Sequence, residues 1–292
     1  MEGSLLGAAA AAGLFLLFQC CGAAVAWAAL PGESGGVRLL LGSVCGTVML
    51  QWFPVPFAFL LGFTLLAHGC AAGLALLCAG LCLWAGRRKG LPSLRLTQAL
   101  LAFRRRKGLW LALGLWLFAC WLVCRSFRWE EGAVYSSQAT YGDMSMHLSF
   151  ITSLARQGDF PPDYSLLPGH PLCYPFLGDS VSASLLLCGA PLTFSYALPM
   201  WFAMGQVMAA FLLFAARLLE SWGKGTVAFA LFFACTAKRN LLIYKHIISN
   251  YCGCSDHNAF SVIYKKSSAD FCCWMYLYPC YNPCYVRYNT RD

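Results

Sequence analysis

No aspartate, glutamate, lysine or arginine occurs between Leu39 and Gly86, a run of 48 residues. Charge is scarce elsewhere too, at 11% of the 292 residues against 59% hydrophobic. Soluble domains carry roughly a quarter charged residues, so this composition excludes a water-soluble globular class. A charge-free run of that length is tolerated only in lipid or in the interior of a helix bundle. Also missing are a phosphate-cradling glycine-rich loop, a dinucleotide fingerprint and an HExxH pair, which removes the usual nucleotide-binding and zinc-protease readings.

What is present reads as membrane spans. Leu5 to Leu30 is apolar, about 26 residues long, and preceded by Met1-Glu2-Gly3-Ser4. It lacks the basic flank of a secretory signal and exceeds the usual signal core of roughly 7 to 15 residues, so it is expected to be a span. The run from Leu39 to Gly86 as one helix would measure about 72 Å at ~1.5 Å per residue. That is more than twice the ~30 Å hydrocarbon core, so the run must fold back. Pro54 and Pro56 favour a kink, while Ala67-His68-Gly69 is the least apolar point and the expected hairpin. Spans are predicted near residues 5–30, 39–66, 70–85, 109–124, 192–219 and 226–235. Small residues spaced through the first span suit close helix packing.

Charge then orients the chain. Arg87, Arg88, Lys89, Arg95, Arg104, Arg105, Arg106 and Lys107 place eight positive charges and no negative one in 21 residues. The positive-inside rule makes loop 87–107 cytoplasmic. Lipid headgroups account for such a cluster without a nucleic-acid partner. Residues 125–180, with three basic and six acidic side chains, then face outward, and counting back through three spans puts the N-terminus outside as well. The expected fold is all-α: a polytopic transmembrane helix bundle with one large extracytoplasmic loop.

The chemistry is sought in that loop. Leu148, Ile151, Leu154 and Ala155 recur at helical spacing, Gly158 is a natural stop, and Asp143 or Ser145 a natural N-cap. An amphipathic helix at the membrane surface is predicted. Asp143 and His147 lie four residues apart and share a face near its start. Two readings are open: the pair are metal ligands, or Asp143 a general base with His147 beside it; or Asp143 only caps the helix and His147 only sits at the headgroup boundary. Beyond the helix, Pro161-Pro162, Pro168-Gly169-His170-Pro171 and Tyr174-Pro175 make a rigid, turn-rich segment. There His170, Tyr174 and Asp179 either line a substrate pocket or satisfy one another beneath the helix.

Gly142-Asp143-x-x-x-His147, a helix ending in Gly158, Phe160-Pro161-Pro162 and Gly169-x-Pro171-Leu172-x-Tyr174-Pro175 follow in order. This pattern, over about residues 141–192, resembles the first outer loop of bacterial multi-pass proteins in the GT-C glycosyltransferase superfamily. The resemblance implies a membrane enzyme that transfers a sugar from a polyprenyl-phosphate donor at the outer face. It implies Asp143 as base or ligand of a divalent ion such as Mg or Mn, assisted by His147, with Arg156, His170, Tyr174 and Asp179 toward the substrate. The implied partners are membrane lipids and the lipid-linked sugar. The superfamily's proteins run longer, so a truncated, inactive chain fits the resemblance. The alternative from another class is a non-enzymatic multi-pass protein, transporter-like or a scaffold of envelope assembly.

Composition changes abruptly near Cys235 to Asn240. Residues 1–235 contain no asparagine, one isoleucine and three lysines, whereas residues 236–292 contain five, four and four, with eight of the thirteen tyrosines. The break is read as a frameshift, misassembly or fusion, and 236–292 as an anomalous tail rather than a native domain. Its Cys252, Cys254, His257, Cys272, Cys273, Cys280 and Cys284 match no paired CxxC spacing.

Overall fold

The computed structural model of the chain describes residues 3–88, 106–130, 133–137, 141–233 and 285–289. In an apolar phase every backbone N–H and C=O must be bonded within the chain, and a helix does this residue by residue. The apolar stretches accordingly form α1 (Leu5–Ala29), α2 (Gly35–Trp52), α3 (Pro54–Leu61), α4 (Leu65–Arg88), α5 (Lys107–Ser126) and α8 (Leu192–Leu218). Between α5 and α8 lie α6 (Tyr141–Gln157) and the short α7 (Leu177–Leu187). Among the described residues five segments are long and apolar enough to cross a membrane: α1, Gly35–Leu61 comprising α2 and α3, α4, α5 and α8. The expected sixth span, 226–235, is helical as far as residue 233. Its end, residues 89–105 of the basic loop and the tail cysteines lie outside the described residues.

The long charge-free run reverses at Gly62–Thr64, not at Ala67-His68-Gly69 as its polarity suggests. Gly62 takes φ +69°, a conformation glycine adopts without penalty. Thr64 then caps α4, its hydroxyl accepting the Ala67 N–H at 3.3 Å. Ala67 and His68 are buried inside α4, so the spans predicted as 39–66 and 70–85 become Gly35–Leu61 and Leu65–Arg88. Pro54 opens α3, where no N–H is required of it, so the chain bends there without breaking.

The chain divides into two compact units, Met1–Arg105 with Met146–Ala210, and Arg106–Ser145 with Phe211–Asp292. In the first, α1 and α2 approach so closely that a Cβ on Gly22 would collide with the backbone of Gly42 and Gly46. Those two stand four residues apart on α2, the small-residue spacing by which membrane helices bring their backbones together. Ala71, Ala75 and Ala79 line the buried face of α4 in the same core, with Phe15, Phe18 and Leu50. At the start of α1, the Ser4 N–H donates to Gly189 O at 3.2 Å.

Polar side chains in the first unit bond one another. Ser43 donates to Gln19 Oε1 at 3.0 Å and Gln19 Nε2 to Thr47 Oγ1 at 3.1 Å. Gln206 Nε2 donates to Ser43 Oγ at 2.8 Å and Thr47 Oγ1 at 3.1 Å. The four side chains form a closed ring joining α1, α2 and α8.

In the second unit, β1 (Phe127–Glu130), β2 (Ala133–Ser137) and β5 (Tyr285–Asn289) form an antiparallel sheet in that order. The first unit holds a two-stranded pair, β3 (Asp163–Tyr164) with β4 (Leu167–Pro171). The all-α expectation is corrected to this extent: strands occur outside the long apolar helices, where the chain is not obliged to be helical. Residues 285–289 are the described part of the tail. Elsewhere in the second unit, Phe211 packs on Phe232 with ring centroids 4.5 Å apart.

Replacing Gly46 by leucine is expected to force α1 and α2 apart and destabilise the protein by about 1–3 kcal/mol, the cost of overpacking a tight contact. A lower midpoint in thermal unfolding of the detergent-solubilised protein, without loss from Gly36→Ala, where a Cβ meets nothing, checks this.

Candidate functional site

The site is built where α6, the β3–β4 pair and α7 come together in the first unit. Helix α6 buries Leu148, Ile151 and Leu154 of the expected periodic face, leaves Ala155 half-buried, and ends at Gly158 with φ +75°. The carbonyl of Gly158 accepts the Phe63 N–H at 2.8 Å, tying the end of α6 to the reversal between α3 and α4. A Cβ on Gly62 would meet that carbonyl oxygen, so both the turn and the tie require glycine there. Gln157 then clasps Asp163, its Oε1 accepting the Asp163 N–H at 2.8 Å and its Nε2 donating to Asp163 O at 3.2 Å. The Asp163 carboxylate accepts the Gly169 N–H at 3.1 Å.

Helix α7 is anchored from below. His68, 2% exposed, sits with Nδ1 2.7 Å from Thr64 O and Nε2 2.8 Å from the Ser184 hydroxyl. The Nδ1–H therefore donates to the carbonyl and Nε2 accepts, which satisfies an imidazole that would otherwise be costly to bury. This link between α4 and α7 holds the helix that carries Asp179.

Asp179 meets His147. The imidazole Nδ1 lies 2.9 Å from Asp179 Oδ2, with the two side chains 35% and 14% exposed. A carboxylate acceptor at Nδ1 selects the tautomer with the proton on that nitrogen and leaves the Nε2 lone pair available. Aromatic rings fix the imidazole further: Phe150 and Tyr174 meet it edge-on, with centroids 6.2 and 6.4 Å away, and they pack on each other at 5.2 Å. Burial pushes the Asp179 carboxyl above its usual range, an effect partly offset by the hydrogen bond and charge of His147.

Of the residues singled out from sequence, the structure thus brings together His147, Tyr174 and Asp179. Asp143 is exposed on the first turn of α6, Arg156 is exposed near its end, and His170 is exposed on β4. The carboxylate beside the His147 imidazole is therefore Asp179, 32 residues on, whereas spacing on the helix suggested Asp143. Phe150, hidden in the apolar periodicity of α6, gave no signal of its role. Among the described residues no three His, Cys, Asp or Glu side chains gather as a metal site. Asp179 engages only Nδ1 of His147, which leaves Nε2 able to ligate an ion; no step is routed through one.

Beside this cluster runs an open apolar groove of about 340 Å³. Val55 and Phe59 of α3 form one wall, and Phe160, Tyr174, Phe176 and Leu177 the other. Tyr174 is common to the groove and to the ring cluster around His147. Compared with family models, curated proteins and solved structures, the chain matches none.

Removing the imidazole by His147→Ala is expected to raise the Asp179 pKa further, because the desolvation stays and the offsetting bond is lost. The protonated-carboxyl stretch in infrared spectra, followed against pH in wild type, His147→Ala and Asp179→Asn, measures the shift and its sign.

Proposed function

We propose that the protein is a membrane glycosyltransferase that moves a sugar from a polyprenyl-phosphate donor to a hydroxyl acceptor, with His147 as general base. The observation that best supports this reading is the imidazole held at Nδ1 by Asp179, with Nε2 left as the proton acceptor. In this step the acceptor O–H gives its proton to Nε2 while its oxygen bonds the anomeric carbon. The bond from that carbon to the phosphate oxygen breaks, and its electron pair leaves with polyprenyl phosphate. Asp179 is a positioning residue that stabilises the imidazolium as it forms. The donor and the outward side of the site rest on the loop's resemblance and on the charge of residues 87–107. Arg156 is the proposed contact of the donor phosphate.

The ring of Gln19, Ser43, Thr47 and Gln206 favours a second reading, a transporter-like protein, because polar groups deep in spans often mark a transport path. Its members satisfy one another, as interhelical fasteners do.

The test is sugar transfer by the full chain in vesicles loaded with polyprenyl-phosphate sugars. His147→Gln is expected to lower the rate about 10²- to 10⁴-fold, the usual worth of a general base, with membrane insertion unchanged. Asp179→Asn is expected to lower it less and to change its pH profile. As pH falls through the raised Asp179 pKa, the carboxylate is neutralised and its hold on the Nδ1–H weakens, a step that Asp179→Asn lacks. Loss of transfer in Asp143→Asn with retention in His147→Gln would move the base to Asp143. No transfer by wild type from any donor tried would leave the transporter-like reading.

A further inference from the structure

The groove's wall from α3 belongs to a segment long and apolar enough to cross a membrane, and Phe59 on that wall is 61% exposed. A hydrocarbon chain therefore enters the groove from the bilayer without passing through water, at little cost in apolar hydration. The lining is apolar almost throughout, and 340 Å³ lies at the small end of ligand pockets, about 300–1,000 Å³. That is room for part of a single chain. Tyr174 lines the groove, and the Tyr174 ring meets the His147 imidazole edge-on with centroids 6.4 Å apart. A chain lying in the groove therefore runs past Tyr174, the residue the groove shares with the ring cluster around His147.

From this we infer that the acceptor is itself a membrane amphiphile: an alcohol with one apolar tail, the tail in the groove between α3 and the Phe160–Leu177 segment and the hydroxyl at His147 Nε2. The inference rests on the glycosyltransferase reading, and goes further in naming the acceptor's class. It makes Phe59, Phe160 and Phe176 specificity-determining residues that touch only the tail. The rings of Phe59 and Phe160 meet edge-on at 4.9 Å, joining the two walls, and those of Phe160 and Phe176 at 5.8 Å.

The experiment uses the full chain in phosphatidylcholine vesicles and dodecanol carrying a photoactivatable diazirine in its chain, with labelled residues mapped by mass spectrometry. Labelling is expected on Phe59, Phe160 and Phe176, displaced by unlabelled dodecanol, retained in His147→Gln, and reduced about tenfold or more when the groove is filled by Val55→Trp or, as a second variant on an exposed position, Phe59→Trp. Labelling spread evenly over the spans and unchanged by both variants overturns the inference. Because labelling needs no turnover, it is read independently of catalysis. A wild type that is labelled in the groove but transfers no sugar defeats the glycosyltransferase reading and leaves the tail site standing. Where transfer is seen, the same variants are expected to lower transfer to a tailed alcohol and spare transfer to glycerol; equal loss for both overturns the assignment of the tail.

Discussion

A polar group that cannot reach water must find its partner inside the protein, and this one constraint shapes most of what is described here. It makes the apolar runs helical. It also decides what happens to the few polar side chains those runs contain. Gln19, Ser43, Thr47 and Gln206 close a ring among three helices, and His68 spends both nitrogens on Thr64 and Ser184. The second pairing has a further effect, since the helix it anchors carries Asp179 to His147. The placement of Asp179 beside His147 thus depends on a hydrogen bond between its own helix, α7, and the long apolar α4.

Against that background Asp179 and His147 stand apart. They are bonded to each other, yet among the described residues the imidazole Nε2 meets no hydrogen-bond partner, and about a third of its side-chain surface is open. Burial that raises the carboxyl pKa and a partner that lowers it leave Asp179 responsive to its surroundings. An interaction made only for stability would be expected to spend both imidazole nitrogens, as His68 does. The contrast between two histidines in the same unit is the physical ground for assigning chemistry to one and support to the other.

Much of the architecture was legible in the sequence because charge and hydropathy act over whole segments. The long apolar helices and the glycine that ends α6 follow from such patterns. The reversal of the long apolar run was misplaced because His68 reads as a polar interruption, and its partner Ser184 lies 116 residues away. A glycine with positive φ at Gly62 carries no mark that separates it from the other glycines of the run. In the same way, Asp143 is near His147 along the helix, while Asp179 comes to it only through the path of the chain past Gly158, the β3–β4 pair and Tyr174. Spacing reports neighbours on one element, and the decisive neighbour here is on another. The short strands were missed because segments of four or five residues leave no long-range pattern to read.

The ring of Gln19, Ser43, Thr47 and Gln206 also bears on how such a chain is made. Synthesis delivers α1 and α2 together, and Gln19 can engage Ser43 and Thr47 at once; Gln206 emerges some 160 residues later, after the whole intervening segment. Until then two hydroxyls in the nascent helix pair lack their final donor. The arrival of α8 therefore completes the ring, so this fastening of α1 to α2 is finished only by a helix made long after both.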